Sequence, residues 1–464
     1  MKRRTVPMLL IISAFMLITG CMKVGPDFKR PDMGSQIRET YQYAPSDVEM
    51  GKITDRWWAA FNDPELNQLA ENVLSGNLDI RKALSVITEL QSYFVQSRAD
   101  RLPTLSLQGE AKRQRIPPGI ESDVYTLSLP ASFEIDLWGR LTRAEEAALA
   151  NLTKTEENAR TIAQTIVSEA ITLYFQIESL ERRIQITEQN IKNYRRNLSF
   201  IERRYEGGLT SILDLKQARR VLAQTEATLP SLRQDIGIRQ QKLAILSGQY
   251  PGTRPARTQP EDYFKLPAPV PSGLPSDLLL RRPDIRAAEA NLRALNAKIG
   301  VAKANRFPKI TLTGSFGYSS GELDRLFIPG NNLWNIAFGA LQPIFDAGRL
   351  KAGQCAAEAQ FQQGMVDYAK TVLTAFYEVE SALLTRKEQM ERRGKMLDFL
   401  AEARATQKVA ENRYERGLTD YLTVLDAQRT RFQAEESLVL VELTILSNRV
   451  TLHRALGGGW GEPK

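Results

Sequence analysis

Apolar residues recur along this chain in two rhythms. Leu105, Leu107, Gly109 and Ala111 alternate with polar neighbours, as do Tyr125, Leu127, Leu129, Ala131, Phe133 and Ile135. The same alternation returns at Ile310, Leu312, Gly314, Phe316 and Tyr318 and at Trp334, Ile336, Phe338 and Ala340. A period of two puts the apolar side chains on one face of a strand and the polar ones on the other. It predicts strands near 104–116, 124–135, 309–319 and 333–345. Loops containing Pro117-Pro118-Gly119 and Ile328-Pro329-Gly330 would join them in pairs.

The second rhythm is helical. Ile166, Ala170, Leu173, Ile177, Leu180 and Ile184 step by four and three in turn, and so do Leu215, Ala218, Leu222, Thr225, Leu229, Leu232 and Ile236. Val372, Phe376, Val379 and Leu383 repeat it. That is a coiled-coil seam. Thr142 to Glu206 holds neither proline nor glycine, enough for a rod of roughly 100 Å at about 1.5 Å per residue. Gly207-Gly208 and Gly417 should end the rods and let the chain reverse. Pro230 should kink the returning helix, because proline removes a backbone donor.

These elements occur twice in one order. Arg204-Tyr205-Glu206-Gly207-Gly208-Leu209-Thr210 returns as Arg413-Tyr414-Glu415-Arg416-Gly417-Leu418-Thr419, 209 residues later. Arg101-Leu102-Pro103 returns as Arg306-Phe307-Pro308, Asp136-Leu137-Trp138-Gly139-Arg140 as Asp346-Ala347-Gly348-Arg349, and Leu246-Ser247-Gly248 as Ala455-Leu456-Gly457. Landmarks of different chemistry in the same order indicate an internal duplication.

The first residues bear on compartment. Lys2, Arg3 and Arg4 precede an apolar run from Met8 to Ile18, then Thr19-Gly20-Cys21. This is a secretory signal layout over 1–20, too short for a helical membrane span of about 20 residues. Leu17-Ile18-Thr19-Gly20-Cys21 resembles the lipobox of bacterial lipoproteins, which implies a lipidated Cys21. Each buried methylene then adds about 0.8 kcal/mol of membrane affinity. Met22, rather than an aspartate, implies the outer membrane. Removing Lys2, Arg3 and Arg4 lowers the formal charge from +8 to +5. Acidic and basic residues are interspersed, which argues for solvated helix faces and against nucleic acid. The two cysteines exclude a disulfide scaffold, and Cys355 is expected to be an inert thiol. The single histidine, His453, leaves little room for a catalytic triad or a histidine metal site. It is expected to be a helix-surface or belt residue. No phosphate-cradling glycine loop occurs. The expectation is no enzyme, no cofactor and no metal site.

Four strands cannot close a barrel around a lumen, and a lipid-facing sheet with an open edge leaves backbone groups unpaired at several kcal/mol each. Several chains must therefore pool their strands. The physics does not set their number.

Taken together, the residues resemble the outer membrane factors, the TolC-like or OprM-like tunnels, in their lipoprotein branch. The likeness spans nearly the whole mature chain. It rests on Cys21 with Val24-Gly25-Pro26-Asp27-Phe28, Trp57-Trp58 with Phe61, Asp63, Pro64 and Leu66, and Asp136-Leu137-Trp138-Gly139-Arg140. It rests also on the two Arg-Tyr-x-x-Gly-Leu-Thr turns and on Leu280-Arg281-Arg282-Pro283-Asp284-Ile285-Arg286. The resemblance implies an α+β, mainly α fold, with long coiled-coil hairpins forming a periplasmic tunnel. A transmembrane β-barrel would be completed by a homotrimer, four strands per chain. The divisions expected are a signal peptide 1–20, a lipidated segment and start of an equatorial belt 21–63, and repeat 1 over 64–248 with a helical hairpin 142–247. A linker and belt would follow over 249–282, then repeat 2 over 283–457 with a hairpin 349–456, and a tail 458–464.

The implied role is the exit duct of a tripartite efflux pump, working with a periplasmic adaptor and an inner-membrane RND-type pump on small molecules such as drugs or metal ions. A tunnel for type I protein secretion and a structural coiled-coil lipoprotein are the alternatives. The implied sites are Cys21 for lipid; Asp420, Thr419, Arg413 and Tyr414 at a periplasmic aperture; and the turns at Gly207, Gly208, Leu209, Thr210, Gly417 and Leu418 for adaptor contact.

Overall fold

The computed structural model describes residues 23–32, 40–44, 56–252, 264, 265, 270 and 275–458. The signal segment, Cys21 and most of the tail lie outside them, as does much of the linker. The chain divides into two compact units. One comprises residues 1–33, 85–157 and 285–371; the other comprises 34–84, 158–284 and 372–464.

The first unit holds an antiparallel sheet of β1 (Thr104–Leu105), β2 (Gln108–Ile116), β3 (Ile120–Ile135), β4 (Lys309–Ser320) and β5 (Asn332–Leu341). β1 and β2 both pair with β3, which pairs with β4, which pairs with β5. β1 and β2 share one register, Thr104 opposite Ser132 and Gln108 opposite Ser128, so they are one strand interrupted at Ser106 and Leu107. The interruption faces Pro130. Its carbonyl accepts from Ser106 N at 3.1 Å, so its nitrogen faces the same neighbour and has no proton to offer. The β2–β3 hairpin turns over Pro117–Gly119, so β3 begins four residues before the expected 124. β5 stops at Leu341, ahead of Pro343, short of the expected 345.

Pairing aligns the apolar rhythm across strands. Leu129, Phe316 and Trp334 stand in one row, and Phe133, Leu312 and Phe338 in another. The other face carries Ser128, Thr311, Thr313, Ser315 and Gly317. Ile310 to Tyr318 spans nine residues, the length of a transmembrane strand at about 9–11. Gly317 sits where β3 and β4 press together. A Cβ there would lie 2.3 Å from the Leu127 carbonyl oxygen.

At the foot of the sheet the sequence landmarks meet. Trp138 Nε1 donates to the Pro308 carbonyl at 2.8 Å, and the indole stacks on Phe307. Arg140 grips Glu134 with two nitrogens at 2.8 Å each. Two 67-residue helices start here, α3 (Arg140–Glu206) and, in the second copy, α8 (Arg349–Glu415). Asp136 accepts from the backbone N–H of Leu141 and Thr142, and Asp346 from those of Gly348 and Leu350. Each carboxylate thus satisfies free donors at a helix N-terminus.

The second unit packs helices. Repeat 1 opens with two helices, α1 (Pro64–Gly76) in this unit and α2 (Leu78–Ala99), most of which belongs to the first unit. They are separated by Asn77, whose side chain accepts from Asp79 N and Ile80 N. The returning limb of the first hairpin is α4 (Ile212–Glu226) and α5 (Thr228–Leu246). Pro230, third in α5, cannot donate to the carbonyl one turn back, and the break falls at Ala227. The second copy has α6 (Leu278–Arg281), α7 (Pro283–Ala304) and an unbroken α9 (Tyr421–Ala455).

The main core joins Trp57, Trp58, Leu66, Ala70 and Val73 to the α3 seam at Ile166, Ala170, Leu173 and Ile177, with Leu446 and Val450. The duplication is visible as repeated contacts. Asn77 Nδ2 donates to the Leu246 carbonyl at 2.8 Å, and Arg282 Nη1 to the Ala455 carbonyl at 2.9 Å. Among the described residues no helix is long and apolar enough to cross a membrane.

Gly317→Val should force β3 from β4 at a cost of about 1–3 kcal/mol, the usual range for overpacking. Heating in detergent while following the β signal by circular dichroism should show the loss. An unchanged melting temperature would mean that the close approach is not structural.

Candidate functional site at the helix reversals

Both long helices end in the same way. Gly208 (φ 69°) and Gly417 (φ 73°) take left-handed backbone, which glycine adopts without a Cβ penalty. Leu209 N donates to Arg204 O at 2.7 Å and Gly208 N to Tyr205 O at 3.0 Å. Leu418 N donates to Arg413 O at 2.8 Å and Gly417 N to Tyr414 O at 3.0 Å. This pair of bonds is the Schellman closure. The returning helices start at once on side-chain caps. Ser211 and Asp214 form a reciprocal capping box on α4. Asp420 caps α9, accepting from Thr423 N at 2.9 Å and from Thr423 Oγ1 at 2.6 Å.

The two reversals lie together in the second unit. The buried Tyr414 hydroxyl is 3.4 Å from Thr210 Oγ1, which itself donates to Asp214 at 2.7 Å. The Tyr414 ring packs against Tyr421 and Phe200, and the Arg204 guanidinium lies 5.4 Å from its centroid. A small core of Ile201, Leu215, Ala218, Ala410, Val424 and Leu425 lies beneath. Burial, followed by the neighbouring Tyr414, raises the Tyr421 phenol above its ordinary value. It stays protonated.

Arg413 Nη2 donates to its own turn, at the Leu418 carbonyl, 3.3 Å away. Thr419 is half-buried, and Gly207, Gly208, Gly417 and Asp420 are exposed. Leu209 and Leu418 are 69% and 60% exposed, and Leu213 and Leu422 stand exposed just beyond them. An open groove alongside is lined by Asn193, Arg196, Asn197, Gln407, Glu411 and Glu415. The hydrogen bonds from Thr423 hold the Asp420 carboxyl below the usual carboxylate range, so it is anionic. Glycine spacing revealed the two turns. Nothing in it indicated the packing of Arg204, Phe200 and Tyr421, which depends on where the two hairpin ends meet.

His453 departs from expectation in part. Of the two expected places, the helix surface is ruled out: the residue is buried and stacks on Trp57 with 5.1 Å between ring centroids. Neither ring nitrogen has a hydrogen-bond partner among the described residues. Arg449, one turn earlier, lies over Phe61. Burial, and then the Arg449 charge, lower the His453 pKa to about 3. A neutral ring flat against an indole is a packing group. Among the described residues, no cluster of three or more His, Cys, Asp or Glu side chains could hold a metal ion.

The chain thus combines a sheet with one apolar and one polar face and long helices that reverse at glycine turns. The profile of the outer membrane efflux protein family matches residues 69–249 and 274–458. The chain belongs to that family, and it is the outer-membrane channel of an efflux pump, extending into the periplasm. It is 33% identical over 471 residues to the solvent efflux pump outer membrane protein SrpC of Pseudomonas putida, with 99% of each chain covered. It is 32% identical over 450 residues to the cation efflux system protein CusC of Escherichia coli O6:H1, with 96% of each covered. Among solved structures it is similar to the outer-membrane channel OprN, with a TM-score of 0.89 and 30% identity, over 94% of this chain and 99% of that one.

The buried histidine has a pH consequence. An unfolded histidine titrates near 6.5 and this one near 3. Between those values the unfolded chain takes up a proton that the folded chain refuses, so stability falls as the pH drops. His453→Phe should flatten that part of the dependence. Melting temperatures of both proteins across the window test it, and equal slopes would refute it.

Proposed function

We propose that this chain forms a homotrimer whose pooled strands, four from each chain, close a barrel in the outer membrane. The hairpins line a periplasmic tunnel, with the two glycine reversals at its periplasmic end. Substrate enters there from an inner-membrane RND-type pump through a periplasmic adaptor and leaves passively. The observation that carries this reading is the sheet, apolar on one face along a transmembrane length and open at both edges. A closed barrel of several chains satisfies those edges. The adaptor contact is assigned to Gly207, Gly208, Leu209, Thr210, Gly417 and Leu418, because exposed leucines beside a groove lined by Phe200, Tyr421 and Val424 as well as polar side chains suit a helical partner. The relatives' names support small organic molecules or cations as cargo. Cys21 is assigned the lipid, as a supplementary anchor beside the barrel.

The aperture is assigned to Asp420 and Thr419, with Tyr414 and Arg413 holding the turn shut. A ring of carboxylates from symmetry-related chains repels anions and retains cations in a narrow pore. Asp420 also caps α9, so alanine would confound charge with folding. Asparagine still caps.

Asp420→Asn should therefore raise the closed-state conductance, most for anions, in single-channel recordings of the purified protein in planar bilayers. Unchanged conductance and selectivity would remove Asp420 from the aperture. A wild-type protein that stays monomeric in detergent and forms no channel would overturn the duct reading. Cys21→Ser should abolish metabolic labelling with palmitate, and a variant that still incorporates label would overturn the lipid assignment.

A further inference from the structure

The two hairpins that cap the sheet at its outer end differ in kind. The β2–β3 hairpin turns in three residues. Its last rung pairs Ile116 with Ile120, and the rungs behind it are charged, with Arg113 bound to Glu121 at 3.0 Å and within 3.7 Å of Asp123. The β4–β5 connection runs from Gly321 to Asn331 and exposes large apolar side chains beside the charged Glu322, Asp324 and Arg325. Leu323 is 64% exposed, Phe327 65% and Ile328 47%.

Position makes this exposure informative. Phe316 and Tyr318 lie on the apolar face of the sheet, in the rows of Trp334 and Leu127. Their rings meet edge to face at 6.1 Å, and the Phe327 ring meets Tyr318 edge to face at 5.5 Å. The aromatic ladder therefore continues from the strand onto the loop, on the same side. The loop also keeps its backbone bonded internally. Leu326 N donates to Leu323 O, Ile328 N to Arg325 O and Asn331 N to Ile328 O at 2.9 Å. Asn331 Nδ2 donates to Arg325 O at 2.6 Å, and Arg325 pairs with Glu322 at 2.8 Å. Backbone groups bonded within the loop cost less near hydrocarbon than free ones, and aromatics beside paired charges suit the headgroup level.

Resting on the outer-membrane reading, we propose that the β4–β5 loop is a lipid-contacting ledge. Phe327, Ile328 and Leu323 sit at the boundary of hydrocarbon and headgroups and extend the outer face of β4 and β5, while the β2–β3 hairpin stands in water. The loop then has no part in covering the lumen.

The test uses full-length protein with Cys21→Ser and Cys355→Ser, which removes both native cysteines. A single cysteine replaces Phe327, Ile120 or Trp334 and carries an environment-sensitive fluorophore. Samples are reconstituted in phosphatidylcholine liposomes with plain or chain-brominated lipid, and iodide serves as the aqueous quencher. The label at 327 should lose emission in brominated lipid and resist iodide, as at 334, whereas the label at 120 should show the reverse. Iodide quenching at 327 with bromine quenching at 334 overturns the ledge alone. Loss of bromine quenching at 334 as well overturns the barrel reading beneath it.

Discussion

Backbone pairing governs this molecule. β3 and β4 are hydrogen-bonded on both sides, but β2 and β5 each keep one free edge. In water such an edge costs little. In hydrocarbon each unpaired group costs several kcal/mol. The proposed trimer follows from that difference, and so do smaller features. Pro130 stands in a central strand with its protonless nitrogen toward the β1–β2 side, so the ladder to β4 continues while the outer strand breaks at Ser106 and Leu107. Gly317 lets the two fully paired strands approach where a side chain would separate them.

The duplication works at the level of contacts as well as motifs. Arg101 binds Glu145 in the first copy, and Arg306 binds Gln354 at 2.7 Å in the second. Asn77 and Arg282 each tie a carbonyl at the end of a returning helix. The chemistry changes from amide to guanidinium, and the position stays. Arg282 needs more support in return. Burial works against its charge, and the hydrogen bonds and charges of Asp284 and Glu378 more than offset this, holding its pKa above the ordinary value. The copies diverge where their surroundings do. One returning limb breaks ahead of Pro230 and the other is continuous. One outer hairpin is short, with charged rungs behind its tip; the other is long and sets exposed Phe327, Ile328 and Leu323 among its charges.

At the reversals, the glycines were legible because left-handed backbone at a helix end strongly selects glycine. The second role of Asp420 was not. An acidic residue after a turn reads equally as a pore charge or as a helix cap, and only the bonds to Thr423 make the capping role visible. Tyr414, which the resemblance assigns to the aperture, is buried beside Thr210, 204 residues away, a contact that no local pattern contains.

The sequence alone determined the two periods, the duplication, the glycine stops and the family. These depend on local sterics and on the alternation of apolar side chains, which are written residue by residue. Only the tertiary structure decided that Asn77 separates α1 from α2, that His453 is buried and neutral against Trp57, and that Phe327 continues the aromatic ladder of β4. Each of these depends on which distant segment arrives, and so on burial and electrostatics that no single stretch of chain contains.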